Sequence, residues 1–178
     1  LLAAERREAD ERISAHLPDY LSVTGLGRLA RDPDGFAAEL RRPMPRLVSD
    51  AQRWGIGFHQ WLEQRFRNQT PLLGAETLEE LAGSEFEELR AGFEAGPYAH
   101  LVPLAVEAPF TLVLAGRLIR GRIDAVFPGA DGRPQVVDWK TGDARRADPL
   151  QLACYRLAWA ELQGVAVQEV DAVFYDLR

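Results

Sequence analysis

Residues 121–142 read GRIDAVFPGADGRPQVVDWKTG, and the fold turns on them. Two runs rich in Val, Ile and Phe are separated by ADGRP, a cluster of turn-forming residues, which is the pattern of a β-hairpin. Asp124 and Asp138 each stand seven residues from Asp131, so a turn centred there sets them opposite one another on neighbouring strands. Directly opposed Cβ atoms on antiparallel strands lie about 4.5–5.5 Å apart. The two-residue period of a strand puts Lys140 on the same face as Asp138. Ile119, Ile123, Ala125 and Phe127 alternate with Arg120, Arg122 and Asp124, and Val137 and Trp139 flank Asp138. The expected hairpin has one apolar face and one charged face. A β-bulge would break its register.

Two facing aspartates repel, and a divalent cation offsets that cost. Hard oxygen ligands suit Mg²⁺ or Mn²⁺. A lysine beside such an ion can hold a water or hydroxide and counter the charge that builds on a phosphate. For an isolated Asp-Xaa-Lys, a surface ion pair is the plainer meaning. The facing acid and the apolar flanks favour a metal site.

Outward from the hairpin, LAVEAPFTLVLAG (104–116) and RLIRGRIDAVFP (117–128) are short, β-branched and bounded by Gly and Pro, so they read as strands. Residues 148–163 form an amphipathic helix, and VQEVDAVFYDL (167–177) a closing strand. Upstream, residues 1–15 read as a charged helix ended by Pro18. Ser22 or Thr24 caps a short helix in LSVTGLGRLA, and Asp32-Pro33 opens another in DPDGFAAEL. RRPMPRLVSD (41–50) is loop. Residues 50–68 are helical, with Phe58, Trp61, Leu62 and Phe66 forming an apolar stripe. Residues 76–94 are one helix, or two broken near Gly83, with a solvated acidic face. Helices first, then strands, then a helix and a strand imply an α/β fold: a small mixed sheet flanked by helices, with an N-terminal helical region.

The chain has 178 residues, 47% of them hydrophobic, which is ample for one core. No apolar run approaches the roughly 18 residues of a membrane span, and LLAAERREADER is no signal peptide, so a cytoplasmic protein without a membrane partner is expected. The chain starts without Met and stops just after a strand-like run, which reads as a piece of a longer protein. Cys154 is the only cysteine, which rules out an internal disulfide and a four-cysteine zinc or iron–sulfur site. It lies at helical spacing in QLACYRLAWAEL, as a small buried hydrophobe rather than a nucleophile. The net charge of −6 argues against a general nucleic-acid coat protein, but not against a nuclease, whose metal site itself needs carboxylates. Arginines cluster at Arg41, Arg42 and Arg46, at Arg117, Arg120 and Arg122, and at Arg145 and Arg146. Taken one at a time, each cluster reads as a solvated face. GLGRLA resembles a dinucleotide fingerprint, but no βαβ unit follows it. There is no Walker A sequence and no HExxH. His16 and His100 stand alone as surface residues.

Taken together, SVTGLGRLARDP, RRPMP, RWGIGFHQWLE, VEAPF, RIDAV, VVDWKTG and DPLQLACYRLAWAEL, in this order, resemble the RecB-type branch of the PD-(D/E)xK nucleases. These are the nuclease domains of the bacterial RecBCD, AddAB and AdnAB helicase–nucleases, and the set is most similar to an AdnAB-type subunit. The resemblance implies a restriction-endonuclease-like core over residues 21–178, after a linker or helical arm at 1–20. Residues 20–103 would form the helical part carrying His59, and 104–178 the sheet core. It implies that His59, Asp124 and Asp138 are metal ligands, with the Trp139 backbone carbonyl as another. Lys140 would be the catalytic lysine, and Glu107 an acid that supports the metal site or a second ion. Gln151 and Tyr155 match a QxxxY motif beside the site. An imidazole with two carboxylates makes a plausible half-shell for an octahedral ion. Without the resemblance, His59 would read as a core histidine, Glu107 as a strand-edge carboxylate, and Gln151 and Tyr155 as helix packing. Some relatives bind an iron–sulfur cluster through four cysteines; with Cys154 alone, this chain has none.

The expected function is a Mg²⁺- or Mn²⁺-dependent deoxyribonuclease of exonuclease type. It would act on DNA, single-stranded by expectation, fed from a helicase motor in the same parent chain and working with a partner helicase–nuclease subunit in break resection and recombinational repair. The alternative is a catalytically inactive nuclease-like module that guides DNA or serves as a scaffold. A third reading is a metal-dependent hydrolase of some other phosphodiester.

Overall fold

The computed structural model describes residues 15–44, 49–67, 84–142 and 147–178. The charged helix expected at 1–15, most of the arm at 1–20, lies almost wholly outside the described residues. So do the first part of the 76–94 helix and Arg46, Arg145 and Arg146. In chain order the elements are β1 (Tyr20–Ser22), α1 (Val23–Arg31), α2 (Pro33–Arg41), α3 (Asp50–Arg67), α4 (Ser84–Glu94), β2 (Ala105–Leu114), β3 (Arg117–Pro128), β4 (Pro134–Lys140), α5 (Pro149–Gln163) and β5 (Asp171–Asp176). The closing strand is shorter than expected, because Val167–Glu169 form a 3₁₀ turn first. β1 was not expected at all.

Local chemistry sets the boundaries. Ser22 Oγ accepts the Gly25 N–H at 2.9 Å and caps α1, and Asp32 Oδ1 does the same for Gly35 and α2, whose first residue is Pro33. Asp148 Oδ1 accepts the Leu150 N–H at 3.0 Å to start α5, and Gly164 ends that helix at φ 65°. β2 turns into β3 through Ala115 and Gly116, both at positive φ, the twist that a two-residue hairpin loop favours.

The five-stranded sheet is mixed. β3 pairs antiparallel with β2 along one edge, from Leu114–Arg117 to Ala105–Val126. Along its other edge it pairs with β1, in parallel, at Leu118–Arg120, and with β4, antiparallel, from Pro128–Pro134 to Ala125–Val137. β4 then leaves β3 and continues paired with β5 as far as Lys140–Asp176. The β3–β4 register is symmetric about Asp131, as expected, but the pairing ends one position short of the two aspartates. The sheet forks there, and residues 121–124 of β3 face a gap between β1 and β4.

One face of the sheet packs on α5 through Ile119, Ile123, Val126, Val136, Phe110 and Leu112. The other packs on α3 and α4 through Ala125, Phe127, Val137 and Trp139. This corrects the expectation of one apolar and one charged face. Near its turn the hairpin is buried on both sides, because helices cover both, and charge is confined to the rungs at the fork. Alternation also reverses there. Ile123 and Val126 lie on the same face although three residues apart, as do Ala105 and Ala108 on β2. The ladder steps over Glu107 and Asp124, and Glu107 takes φ 48°, unusual for a residue with a side chain. Both strands reverse at the same rung, so the register survives on either side.

Candidate active site

The reversal turns the Glu107 and Asp124 carboxylates toward α3. That helix is clamped to the sheet by Phe58 and Leu62, both buried, and by half-buried Trp61 and Phe66. His59, next to Phe58 in sequence, points at the fork. Its Nδ1 lies 3.2 Å from Glu107 Oε1 and 3.9 Å from Asp124 Oδ2. One ligand atom from each of His59, Glu107 and Asp124 falls within 4.8 Å of the others. Asp124 Oδ2 also accepts the Trp139 N–H at 3.0 Å. A side chain thus takes the place of the missing ladder partner and bridges the fork.

Asp138 is not in that trio. It is 1% exposed, and its Oδ2 forms an ion pair with Lys140 Nζ. Lys140 Nζ donates to Gln151 Oε1 at 3.2 Å, and Gln151 Nε2 donates to the Tyr155 hydroxyl at 2.9 Å. The expected residues therefore form two linked groups: His59, Glu107 and Asp124 on the α3 side, and Asp138, Lys140, Gln151 and Tyr155 on the α5 side. Trp139 enters through its N–H.

The electrostatics follow from crowding acids in a largely buried fork. Burial, reinforced by the charges of Asp138 and Glu107, outweighs the pull of His59 and of the Trp139 N–H and raises the Asp124 carboxyl to about 7. Burial also raises Asp138, against the hydrogen bond and charge of Lys140. For His59, burial opposes the charged ring. The hydrogen bond to Glu107 and the charges of Asp124, Glu107 and Asp138 more than reverse that, so its pKa rises. The Tyr155 phenol is raised, by burial first. Acids crowded together in this way repel one another, and a bound cation would relieve that repulsion.

A cleft of about 940 Å³ opens over the trio. A second cavity of about 450 Å³ lies beside Lys140 and Gln151, and the two share Val23, Thr24, Thr141 and Gly142. One wall of the cleft is α3, where Gln52, Ile56, His59 and Glu63 recur at helical spacing. That period could have identified the wall from sequence. Facing it are Arg120 and Arg122, and the Arg122 guanidinium lies 3.6 Å from Glu107 Oε2. Read singly, the arginine cluster gave no sign of this. Arg117, the third member, is an exposed residue at the start of β3.

The forked mixed sheet thus brings clustered acids, an imidazole and a lysine together at the fork, a donor set that could hold a divalent cation. The chain matches the PD-(D/E)XK nuclease superfamily over residues 20–178 and belongs to that superfamily. It is accordingly a nuclease domain. A stretch of 70 residues, 39% of the chain, is 41% identical to the "Gene 69 protein" of Mycobacterium phage D29. That match covers 25% of the phage protein, so the chain spans about a quarter of the length of this relative. Among the described residues no helix is long and apolar enough to cross a membrane.

Proposed function

We propose that the chain is a Mg²⁺- or Mn²⁺-dependent deoxyribonuclease domain of a RecB-type, AdnAB-like helicase–nuclease, cutting a single strand delivered by a motor elsewhere in the parent protein. The order of motifs along the chain supports the subfamily. A role in resecting broken DNA ends, together with a partner subunit, follows from it. The observation that carries the chemistry is the convergence of His59, Glu107 and Asp124 at the mouth of the cleft, with Lys140 held alongside.

His59, Glu107 and Asp124 would hold the ion, with Asp138 and the Trp139 carbonyl as further ligands. When bound, it neutralises phosphate oxygens and acidifies water. Lys140 orients the attacking water and counters the charge that develops on the phosphate. Asp138 and Gln151 keep the Lys140 amine in place. Tyr155 accepts from Gln151 Nε2 and so keeps the amide oxygen turned toward Lys140.

Asp124→Ala tests this reading. Calorimetric titration should show Mn²⁺ binding lost, and cleavage of a labelled strand should fall by about 10²–10³-fold, with the far-ultraviolet circular dichroism retained. Undiminished cutting by the variant would remove the assignment. Failure of the unaltered chain to bind Mn²⁺ would support the scaffold reading instead.

A further inference from the structure

The two halves of the sheet are covered differently on the side that carries the acidic trio. Over the half nearest the β3–β4 turn, α3 and α4 bury Ala125, Phe127, Val137 and Trp139. Over the other half, among the described residues, no helix packs on that side. Along β1, Leu21 is buried toward α5, while Tyr20 and Ser22 are exposed. Along β3, Ile119 and Ile123 are buried toward α5, while Arg120 and Arg122 are exposed. On β2, Pro109, Thr111 and Val113 are exposed between the buried Phe110 and Leu112. The result is an open β surface that runs into the cleft.

Its chemistry is selective. The Arg120 guanidinium lies over the Tyr20 ring, 4.6 Å from its centroid, and Tyr20 is 53% exposed. Val113, 66% exposed, adds a further apolar spot. Two residues on, Arg122 leads to Glu107 at 3.6 Å, so the basic tract joins the acidic trio without a break. In a chain of net charge −6, two cations and an exposed aromatic ring beside the site match a polyanion that carries flat rings. A paired base keeps its faces inside the duplex stack, whereas an unpaired base offers a π face to tyrosine or to a guanidinium plane.

We propose that the Tyr20–Arg120 pair is a seat for an unpaired nucleobase of the DNA strand entering the cleft, and that it gives the domain its preference for single strands. The proposal deepens the nuclease reading and rests on it for the choice of polymer. Tyr20 supplies the stacking surface. Arg120 holds the ring from the other side and, with Arg122, faces the phosphates.

The test is equilibrium binding of fluorescent DNA to the 178-residue chain in EDTA, where no cutting occurs and metal chemistry plays no part. Tyr20→Ala should weaken binding of a 12-mer single strand by about tenfold, as loss of one stacked base does, and leave a blunt duplex of the same length bound as before. Tyr20→Phe should restore the single-strand affinity. Arg120→Lys, which keeps the charge and loses the plane, should narrow the gap between single strand and duplex. An abasic site walked along the 12-mer should mimic Tyr20→Ala at one position only. Thermal unfolding should place all variants within a few degrees of the parent. Unchanged single-strand affinity in Tyr20→Ala would overturn the proposal, as would equal weakening toward single strand and duplex, the mark of a plain phosphate patch. Because metal is absent, these outcomes stand whether or not Asp124→Ala abolishes cleavage.

Discussion

The two faces of the sheet are built from different materials. The face against α5 is mostly aliphatic, with Leu21, Leu112, Ile119, Ile123, Val126 and Val136 meeting Ala158, Ala160 and Cys154. The face against α3 and α4 is aromatic. Phe93 alone makes edge contacts with Phe58, Trp61, Phe66 and Trp139, and Trp139 makes them with Tyr98, Phe127 and Tyr175. Each face delivers one half of the site: the aromatic face carries His59, and the aliphatic face carries Gln151 and Tyr155. Interlocking rings fix orientation more tightly than branched aliphatics do, since edge-to-face pairs add about 0.5–1.5 kcal/mol beyond burial. His59 thus sits on the aromatic support.

The largest break in this comparison should come from Phe93→Ala. Phe93 is 1% exposed, and its loss should cost about 3–5 kcal/mol in urea denaturation. Because α3 hangs on that ring, Mn²⁺ affinity should fall in the same variant. A purely local cavity would lower stability and spare the affinity.

Next in size is a pH effect centred on Asp124 of the trio. Asp124 must ionise to take a cation, and its carboxyl is raised to about 7. Mn²⁺ affinity measured by calorimetry should climb through that pH, about tenfold per unit for each proton displaced, and level off above it. The stability of the metal-free fold should run the other way. A carboxyl raised by folding contributes stability below its ordinary range near 4, and that share is lost as pH rises through about 7. An affinity flat between pH 5 and 8 would break the link.

The smallest effect should come from the aliphatic side. Ile119→Val, at a residue 1% exposed, should cost about 0.5–1.5 kcal/mol and leave Mn²⁺ affinity unchanged. A drop in affinity there would erase the distinction between the two supports.

Much of this was legible before any coordinates. The register about Asp131 came from a two-residue period and a turn-forming pentapeptide. The helix starts at Ser22 and Asp32 are each a side chain satisfying a free N–H. His59 was legible only through resemblance, because a histidine on an apolar helix has no local signature. β1 was not legible, because three residues in a parallel pairing leave no pattern to read. The reversal at Glu107 and Asp124 was equally hidden. It is a backbone event at a non-glycine residue, stabilised by contacts from α3 and β4 that are remote in sequence.

The gap along β3 between β1 and β4 has a further consequence. Each added residue of β1 would let the sheet zip further toward Asp124 by adding backbone hydrogen bonds. A variant so extended should be harder to melt and chemically idle, since the space a phosphate needs would be filled by a neighbouring chain segment. The helix cap at Ser22 ends β1 three residues in. One serine hydroxyl therefore helps hold a door open in a structure whose own hydrogen bonding would tend to shut it.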